Sequence, residues 1–398
     1  MTIDTGPFAG EAADRTAHAD ELVGRVQHHL KTEQHFDPVG WRASELLRGL
    51  AGLDLPTRVG GAGASAADMT DTFRRLGRID LELRDIAGAG HARLLTHART
   101  RRFDPLLKDV ASGAAFCAVA ITEPGTGSDL HALETVARGG DDGFVLNGTK
   151  QHVSRIEECT HLIVLASVFR PHARITAFLV PSDAPGVSIE AMSPMGMSSV
   201  SWGRVRLEEV SIPRENRIGG EGEGISLFLR HFSYWRVMMA ATAIGSAQAA
   251  VDAAMERMKT REAFGGPIGR FSHLQLALAE HVASLRMAWL LVFDAAGRLD
   301  GRDTAITEAA MAKAEAVERA IHAVEWAMTV FGAAGYDRET GLEKRYRDLA
   351  GMRMADGTTD VLRGQVARSL LGDRLYEAGL GRDGDHEALN DIPRRLFW

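Results

Sequence analysis

The sequence predicts a mostly helical protein with a β-domain in the middle of the chain. Helical periodicity runs from about Ala17 to Ser112 and returns after the glycine-rich segment RIGGEGEGI. Between these zones, short apolar runs about ten residues apart are separated by Pro, Gly and Asp, which is typical of short strands. We therefore expect three domains, at residues 1–115, 116–218 and 219–398.

The first domain has three stretches in which apolar residues recur at helical spacing. They are ADELVGRVQHHL, WRASELLRGLAGL and AADMTDTFRRLGRIDLELRDIAG. The loop PTRVGGAGAS separates the last two. It lacks the strand–turn–helix setting of a phosphate-binding loop, so we interpret it as a connector.

The second domain is predicted to be a small antiparallel barrel or sandwich. In GFVLNGTKQHVS, Asn147 and Gly148 stand between apolar alternations, which predicts a hairpin turn. Four further runs have the composition of strands: HLIVLASV, ITAFLV, VSIEAM and GRVRLEEVSI.

The third domain is predicted to be a bundle of long helices. From Ile306 to Met328 the apolar residues recur in steps of three and four, as on one amphipathic helix. The stretch HLQLALAEHVASLRMAWLLVFDAAGRL is apolar around much of its circumference. We therefore expect it to be buried among neighbouring helices.

Composition excludes several classes of protein. The hydrophobic fraction of 45% and the charged fraction of 25% are ordinary for a globular protein. The net charge of −7 argues against a nucleic-acid binder, which needs a basic face. Two cysteines without paired spacing suit a reducing cytosol and no structural metal. The polar N-terminus has no apolar core of the kind expected in a signal peptide, and no apolar run approaches the ~20 residues of a membrane span. We expect a cytoplasmic protein with no metal, nucleic-acid or membrane partner.

Three segments contain residues suited to chemistry. The glycines of TEPGTGSD let backbone N–H groups crowd together, which suits a bound heterocycle or phosphate, although an ordinary surface loop is the alternative. In REAFGGPI, Arg261 could hold a pyrophosphate while Phe264 packs on an adenine; a helix-terminal cation explains Arg261 equally well. In MADGTTDVLRG, Asp356 is either a turn residue or a catalytic base.

The order of these motifs resembles that of the acyl-CoA dehydrogenase family. TEPGTGSD is followed by NGTK in the β-domain, then by REAFGGPI, FGAAGY, YRD and finally GTTDVLRG. Each motif alone is weak to moderate, whereas the order and spacing together are specific. The resemblance extends from DLPTRVGGAG to GTTDVLRGQVARSLL, which is nearly the whole chain.

The resemblance implies a fold and a cofactor. The fold is an N-terminal helical domain, an antiparallel β-barrel or sandwich and a C-terminal four-helix bundle. The cofactor is FAD, held in a homodimer or homotetramer in which a second subunit supplies part of each site. The implied FAD contacts are Thr122, Thr126, Gly127, Ser128, Ser154, Arg261, Phe264, Gly332 and Thr358.

Several positions depart from the family pattern. His152 stands where a tryptophan near the exposed flavin edge is usual, while Ser154 keeps a hydroxyl that could bond flavin N5. Ser272 and Thr329 replace glutamines on the adenine side. These replacements concern the adenine contacts and the exposed edge, and leave the expectation of FAD in place.

The resemblance also implies a substrate and a reaction. The substrate is an acyl thioester, carried by CoA or an acyl-carrier protein, that is oxidised to the 2,3-enoyl thioester while electrons pass to an electron-transfer flavoprotein. Asp356 aligns with the glutamate that removes the α-proton, and is one methylene, about 1.5 Å, shorter. The backbone N–H of residue 356 and a flavin ribityl hydroxyl would polarise the thioester carbonyl. The implied substrate contacts are Arg236, Ser233 and Gly357.

Two alternatives stay open. A nitroalkane oxidase-like enzyme would use the same aspartate to deprotonate a nitroalkane. A non-catalytic or nucleic-acid-associated flavoprotein relative would usually have an extra basic C-terminal region, whereas GRDGDHEALNDIPRRLFW is short and mixed in charge.

Overall fold

The fold consists of N-terminal helices, a central sheet and a C-terminal bundle of long helices, as expected. The computed structural model describes residues 21, 23–30, 38–45, 47, 49–140, 142–170 and 172–372. The C-terminal tail that argued against a basic extension lies outside the described residues.

The N-terminal part is less regularly helical than predicted. Residues 23–30 are helical, and the next α-helices are α1 (Pro38–Ala43), α2 (Ala66–Ile79) and α3 (Asp104–Ser112). The predicted helix in WRASELLRGLAGL ends at Ala43, and Gly49, with a left-handed φ of 91°, precedes a short 3₁₀ turn at Leu50–Gly52. By contrast, Ser65 and Asp68 form a reciprocal capping box that starts α2.

The described residues of the middle segment form one eight-stranded sheet. Its strands are β1 (Cys117–Ala120), β2 (Val136–Gly139), β3 (Gly143–Ser154), β4 (His161–Arg170), β5 (His172–Pro181), β6 (Val187–Met192), β7 (Trp202–Pro213) and β8 (Arg217–Ile218). Their order is β6-β7-β3-β2-β4-β5-β8, with β1 paired to β4. The pairings are antiparallel except those of β4 with β1 and with β2, which are parallel.

The hairpin predicted at Asn147-Gly148 is wrong. β3 runs through both residues as one strand, and its pairing with β7 shifts register there, which marks a bulge. The Asn147 side chain donates to Glu209 Oε1 at 2.7 Å and accepts from the Glu209 N–H at 2.9 Å. The asparagine therefore joins two strands instead of reversing one.

The C-terminal helices pack around one long central helix. They are α4 (Gly224–Thr260), α5 (Ser272–Asp300), α6 (Ile306–Phe331), α7 (Leu342–Met354) and α8 (Thr359–Leu371). α4 is buried along most of its length and crosses α2 at two glycines, Gly77 and Gly245. A Cβ atom at either glycine would collide with the backbone oxygen of Thr242 or Arg74, so the crossing requires glycine.

The expectation that α5 is buried is wrong for the single chain. Leu276, Met287 and Leu290 are 72%, 53% and 45% exposed, and they lie along one stripe of the helix. By length and composition, α4 and α5 are also apolar enough to cross a membrane, which the sequence interpretation did not anticipate. The apolar window of α4 is mostly buried inside the protein, whereas that of α5 is mostly exposed.

α7 docks the bundle onto the N-terminal helices. The Lys344 ammonium lies 2.7–2.8 Å from carboxylates of Asp80, Glu82 and Asp348. Burial alone would lower the pKa of Lys344, but these three carboxylates raise it. The three acids are close enough together for a metal ion, and Lys344 is the cation that they share in this structure.

Candidate active site

The TEPGTGSD loop is anchored by the lysine of NGTK. Lys150 is fully buried, and its Nζ donates to Glu123 Oε1 at 2.6 Å and to Ile121 O at 3.0 Å. The Glu123 carboxylate also accepts the N–H groups of Glu134 and Thr135. Burial would raise the pKa of Glu123, but these hydrogen bonds and the Lys150 charge hold it below its ordinary value. Burial lowers the pKa of Lys150 to about 8.

This anchoring leaves the tip of the loop open. Thr126 is buried and its hydroxyl donates to Ala132 O at 3.0 Å, so it shapes the loop. Gly127 and Ser128 are exposed, and their backbone N–H groups make no hydrogen bond within the described part of the chain. Exposed donors of this kind fit the carbonyl and ring-nitrogen acceptors of a flavin ring.

The end of β3 lies beside the loop. The Gln151 N–H donates to Thr122 O at 2.8 Å, which holds the strand end against the start of the loop. His152 is exposed with a φ of 55°, and Ser154 is half-buried. The half-buried Thr122 and Ser154 are thus on adjoining segments, as expected of two contacts to one cofactor.

Ser154 is hydrogen-bonded to Arg155, which belongs to a buried ion pair. Arg155 Nη1 donates to Ser154 Oγ at 2.8 Å, and its guanidinium pairs with the Asp85 carboxylate. Arg84 lies on the other oxygen of the same carboxylate at 3.3 Å. Burial would raise the pKa of Asp85, but the two arginines bring it below its ordinary value.

Arg155 also connects the strand end to the bundle. Its guanidinium lies 5.6 Å from the centre of the Trp235 ring, in α4. The next residue, Arg236, donates from Nε to Asp356 O at 2.9 Å. Ser154 and Asp356 are therefore connected through Arg155 and the consecutive α4 residues Trp235 and Arg236.

Asp356 occupies a turn that is fixed from inside the protein. Its φ of 59° is left-handed, which costs a non-glycine residue roughly 1–2 kcal/mol. The carbonyl of Asp356 is bound by Arg236, while Lys313 Nζ donates to Ala355 O at 2.8 Å and to Gly357 O at 2.7 Å. Burial lowers the pKa of Arg236 to about 10, and the charge of Asp356 opposes that decrease.

The turn leaves Asp356 available for chemistry. Its backbone N–H makes no hydrogen bond to any described residue, and its side chain is half-buried. Gly357 has a φ of 95° and packs against the Arg236 guanidinium, while Thr358 caps α8 by accepting the Val361 N–H at 3.3 Å. A carboxylate and an unpaired N–H donor on one residue are suited to binding and deprotonating a carbonyl compound.

Two predicted substrate residues, Ser233 and Arg236, are buried and make hydrogen bonds to other groups of the protein. Ser233 is fully buried and its hydroxyl donates to Leu229 O at 3.0 Å, so in this structure it packs inside α4. Arg236 is 5% exposed and holds the turn through Asp356 O and Gln365 Oε1. In this structure Arg236 stabilises the turn through these hydrogen bonds.

The remaining FAD residues form a second group far from Asp356. Arg261 directly follows the end of α4, Phe264 is 88% exposed, and Gly332 is exposed at the end of α6. Arg257 stacks on Phe331 at 5.3 Å, which brings the two helix ends together. Because a helix rises about 1.5 Å per residue, Arg236 and the end of α4 are about 36 Å apart along the helix axis.

Sequence reasoning missed Lys313, which is the principal cation beneath the turn. A signal was present, because Lys313 lies three residues after Ala310 and four before Val317, on the apolar stripe of α6. A charged residue on a buried stripe indicates a specific partner. The partner itself, the backbone of a turn 42–44 residues later, leaves no mark in the sequence.

Comparison with known proteins matches most of the chain to one family. Residues 118–210 match the model of the acyl-CoA dehydrogenase middle domain, and residues 222–371 match that of the acyl-CoA dehydrogenase C-terminal domain. The chain is 31% identical to a probable acyl-CoA dehydrogenase, YngJ, of Bacillus subtilis, over 88% of this chain and 94% of that protein. It is 33% identical to a 3-(aryl)acrylate reductase of Clostridium sporogenes, over 81% and 88% respectively.

Solved structures have the same fold. The butyryl-CoA dehydrogenase of Megasphaera elsdenii superposes with a TM-score of 0.85 over 92% of this chain and all of that chain, at 24% identity. The prolyl acyl carrier protein oxidase AnaB superposes with a TM-score of 0.83 over 91% and 99%, at 25% identity.

Proposed function

The chain belongs to the acyl-CoA dehydrogenase family of FAD-dependent oxidoreductases acting on CH–CH groups, and on that premise we propose that Asp356 is its catalytic base. The reaction is the oxidation of an acyl thioester to the 2,3-enoyl thioester. The observation that carries this proposal is the Asp356 turn, in which two buried cations hold the backbone while the carboxylate and the N–H stay available.

The chemistry assigned to the chain follows from that turn. The backbone N–H of Asp356 donates to the thioester carbonyl and stabilises the negative charge that develops on its oxygen. The carboxylate of Asp356 then takes the proton from the α-carbon, which this polarisation has made more acidic. Bound FAD would supply the acceptor for the hydride that leaves the β-carbon. The loop donors of Gly127 and Ser128 and the hydroxyl of Ser154 orient the cofactor.

The second group of FAD residues suggests that the enzyme is a homo-oligomer. Arg261, Phe264 and Gly332 lie near the end of α4, which is about 36 Å along the helix from Arg236 at the Asp356 turn; this separation favours their serving the cofactor of another copy. The exposed stripe of Leu276, Met287 and Leu290 on α5 supports the same proposal, since such a patch is typical of an interface. We propose a dimer or tetramer in which each site draws on two subunits.

The electron acceptor is proposed to be an electron-transfer flavoprotein. One relative at 29% identity is the CarC subunit of the caffeyl-CoA reductase–Etf complex of Acetobacterium woodii. AnaB, by its name, acts on a carrier-protein substrate, so a carrier-bound acyl group is also considered for this chain. The cytoplasmic location remains a prediction.

An anaerobic titration tests the function. The purified protein, loaded with FAD, is mixed with short, branched and long acyl-CoAs, then with acyl-carrier proteins and nitroalkanes, while the oxidised-flavin absorption band is followed. Bleaching by an acyl thioester supports the proposal and identifies the chain and carrier. Bleaching by nitroalkanes alone would assign Asp356 to nitroalkane chemistry. A flavin-loaded protein that none of them bleaches would contradict the proposed reaction.

A further inference from the structure

Lys313 is a buried cation without an ion-pair partner. It is fully buried in α6, and within the described ranges no carboxylate lies at ion-pair distance from its Nζ. Glu318, on the same helix, is instead bound by Arg353 and by the Thr359 hydroxyl. Burying an ammonium group is unfavourable unless specific groups bind it, so the reason for a lysine here lies in the groups that its Nζ contacts.

The hydrogen bonds of Lys313 go to the backbone on both sides of Asp356. Its Nζ donates to Ala355 O at 2.8 Å and to Gly357 O at 2.7 Å. Arg236 donates to the intervening carbonyl, that of Asp356, at 2.9 Å. Three successive carbonyls are thus bound by two buried cations, which keeps Asp356 in its left-handed conformation.

We infer that Lys313 is a positioning residue, whose ammonium group fixes the Ala355–Gly357 backbone and thereby the direction in which Asp356 presents its carboxylate. This inference rests on the proposed function, in which Asp356 takes the α-proton. With the peptide groups on both sides fixed, only the two side-chain torsions of Asp356 remain to place the carboxylate. A base must come within about 3 Å of its proton, and an aspartate has little length with which to compensate for a displaced backbone.

The charge of Lys313 gives the inference a pH dependence. Burial lowers the pKa of Lys313 to about 8, while Asp356 in the turn and Glu318 on α6 favour the charged form and Arg236 on α4 opposes it. Near neutral pH the ammonium makes charge-assisted hydrogen bonds to the two carbonyls. Above pH 8 the neutral amine binds them less strongly, so the turn loosens and proton abstraction slows.

Two measurements on the FAD-loaded protein test this, with Lys313→Met as the variant. Arg319→Met is the matched control, since Arg319 lies on the same helix but bonds Ser284 and Glu315. In the first measurement, hydrogen exchange is followed in a peptide that spans the Asp356 turn. We expect faster exchange in Lys313→Met and unchanged exchange in Arg319→Met. Equal protection in both variants would overturn the inference.

The second measurement is the rate of anaerobic flavin reduction from pH 6 to 10, with the substrate that the titration identifies. In the wild type we expect the rate to fall as the pH rises through about 8. In Lys313→Met we expect a rate about 100-fold lower at pH 7, without the alkaline decline and with substrate affinity little changed. A wild-type rate, or an alkaline decline that persists in Lys313→Met, would overturn the inference.

The failure of the proposed function gives a different result. If Asp356→Asn reduces its flavin at the wild-type rate, Asp356 is not the base, whatever the exchange data show. If Asp356→Asn is inactive while Lys313→Met behaves as the wild type in both measurements, Asp356 is still supported as the base, but Lys313 is not a positioning residue.

Discussion

Lys150 Nζ lies 2.6 Å from Glu123 Oε1, and this buried ion pair joins two motifs 27 residues apart. The pair explains why TEPGTGSD and NGTK occur together in one chain. The glutamate shapes the loop from inside by binding the N–H groups of Glu134 and Thr135, and the lysine neutralises the glutamate.

Replacing Lys150 should therefore destabilise the protein. Lys150→Met leaves the Glu123 carboxylate buried without its cation, and we expect the free energy of unfolding to fall by about 3–5 kcal/mol. Urea denaturation measures that change, and the absorption spectrum of the purified variant measures the FAD retained. The double variant Lys150→Met with Glu123→Met has no unpaired charge and should recover part of the loss. A single variant as stable as the wild type would refute the role given to the pair.

Asp356→Asn should abolish most of the chemistry while the fold is retained. Asparagine has the same size and tolerates a left-handed φ, but it cannot take a proton, so we expect flavin reduction to slow by about 10²–10⁴-fold. Rapid-mixing absorption measurements give the rate. Full turnover by Asp356→Asn would eliminate the base.

Asp356→Glu tests the reach of the carboxylate. The longer side chain moves the carboxylate by about 1.5 Å. We expect this variant to be more active on ordinary acyl-CoAs than the wild type, if the aspartate is adapted to a different substrate. The same titration series, run on both proteins, compares their preferences; an identical ranking would contradict the reach argument.

A charge on the exposed stripe of α5 should prevent assembly. Leu290 is 45% exposed, and Leu290→Glu would bury a carboxylate in any interface that covers it. We expect a smaller particle in light scattering after size-exclusion chromatography, together with loss of FAD. Lys108→Gln, which changes the net charge equally at an exposed position of α3, is the control and should assemble normally. Unchanged mass and flavin content in Leu290→Glu would place the interface elsewhere.

Deprotonation of Lys313 loosens the turn locally, but the lowered pKa of Lys313 should make the global free energy of unfolding rise with pH above about 8. Below pH 8 its ammonium is protonated in the folded and unfolded states alike. Between about 8 and its ordinary pKa of 10.5 the unfolded chain binds a proton that the folded chain does not, so stability increases with pH by up to about 3 kcal/mol. The difference in urea midpoint between the wild type and Lys313→Met, measured from pH 7 to 10, isolates this effect. A pH-independent difference would contradict it.

The sequence was informative where a pattern is local or where motif order is specific. The helical period from Ile306 onwards predicted α6, and the ordered motifs predicted the family. Asn147-Gly148 was misleading because the turn signal is local, whereas the hydrogen bonds that join Asn147 to the neighbouring strand are made with Glu209, 62 positions away. α5 was misinterpreted for a related reason. A helix that is apolar around its circumference has the same sequence whether the helices that cover it belong to this chain or to another copy.

The candidate site divides in the same way. Asp356 could be identified from the sequence because it is a carboxylate residue and because GTTDVLRG, which directly follows it, belongs to the ordered family motifs. The cations beneath it could not be paired with it, since Lys313 and Arg236 reach backbone oxygens, which every residue has. Asp85, which binds Arg155, was likewise hidden because its partner is 70 residues away.

The length of α4 has a consequence for handling the protein. A single long helix holds the Asp356 region and the Arg261 region apart, so one copy alone presents only part of the contacts proposed for each cofactor. From the proposed assembly we expect flavin retention to depend on mass action: it should fall when the protein is diluted below the dissociation constant of the assembly and return on concentration. A yellow solution of the protein should therefore lose its flavin colour reversibly on dilution. Adding an excess of apoprotein that can still assemble should restore the colour.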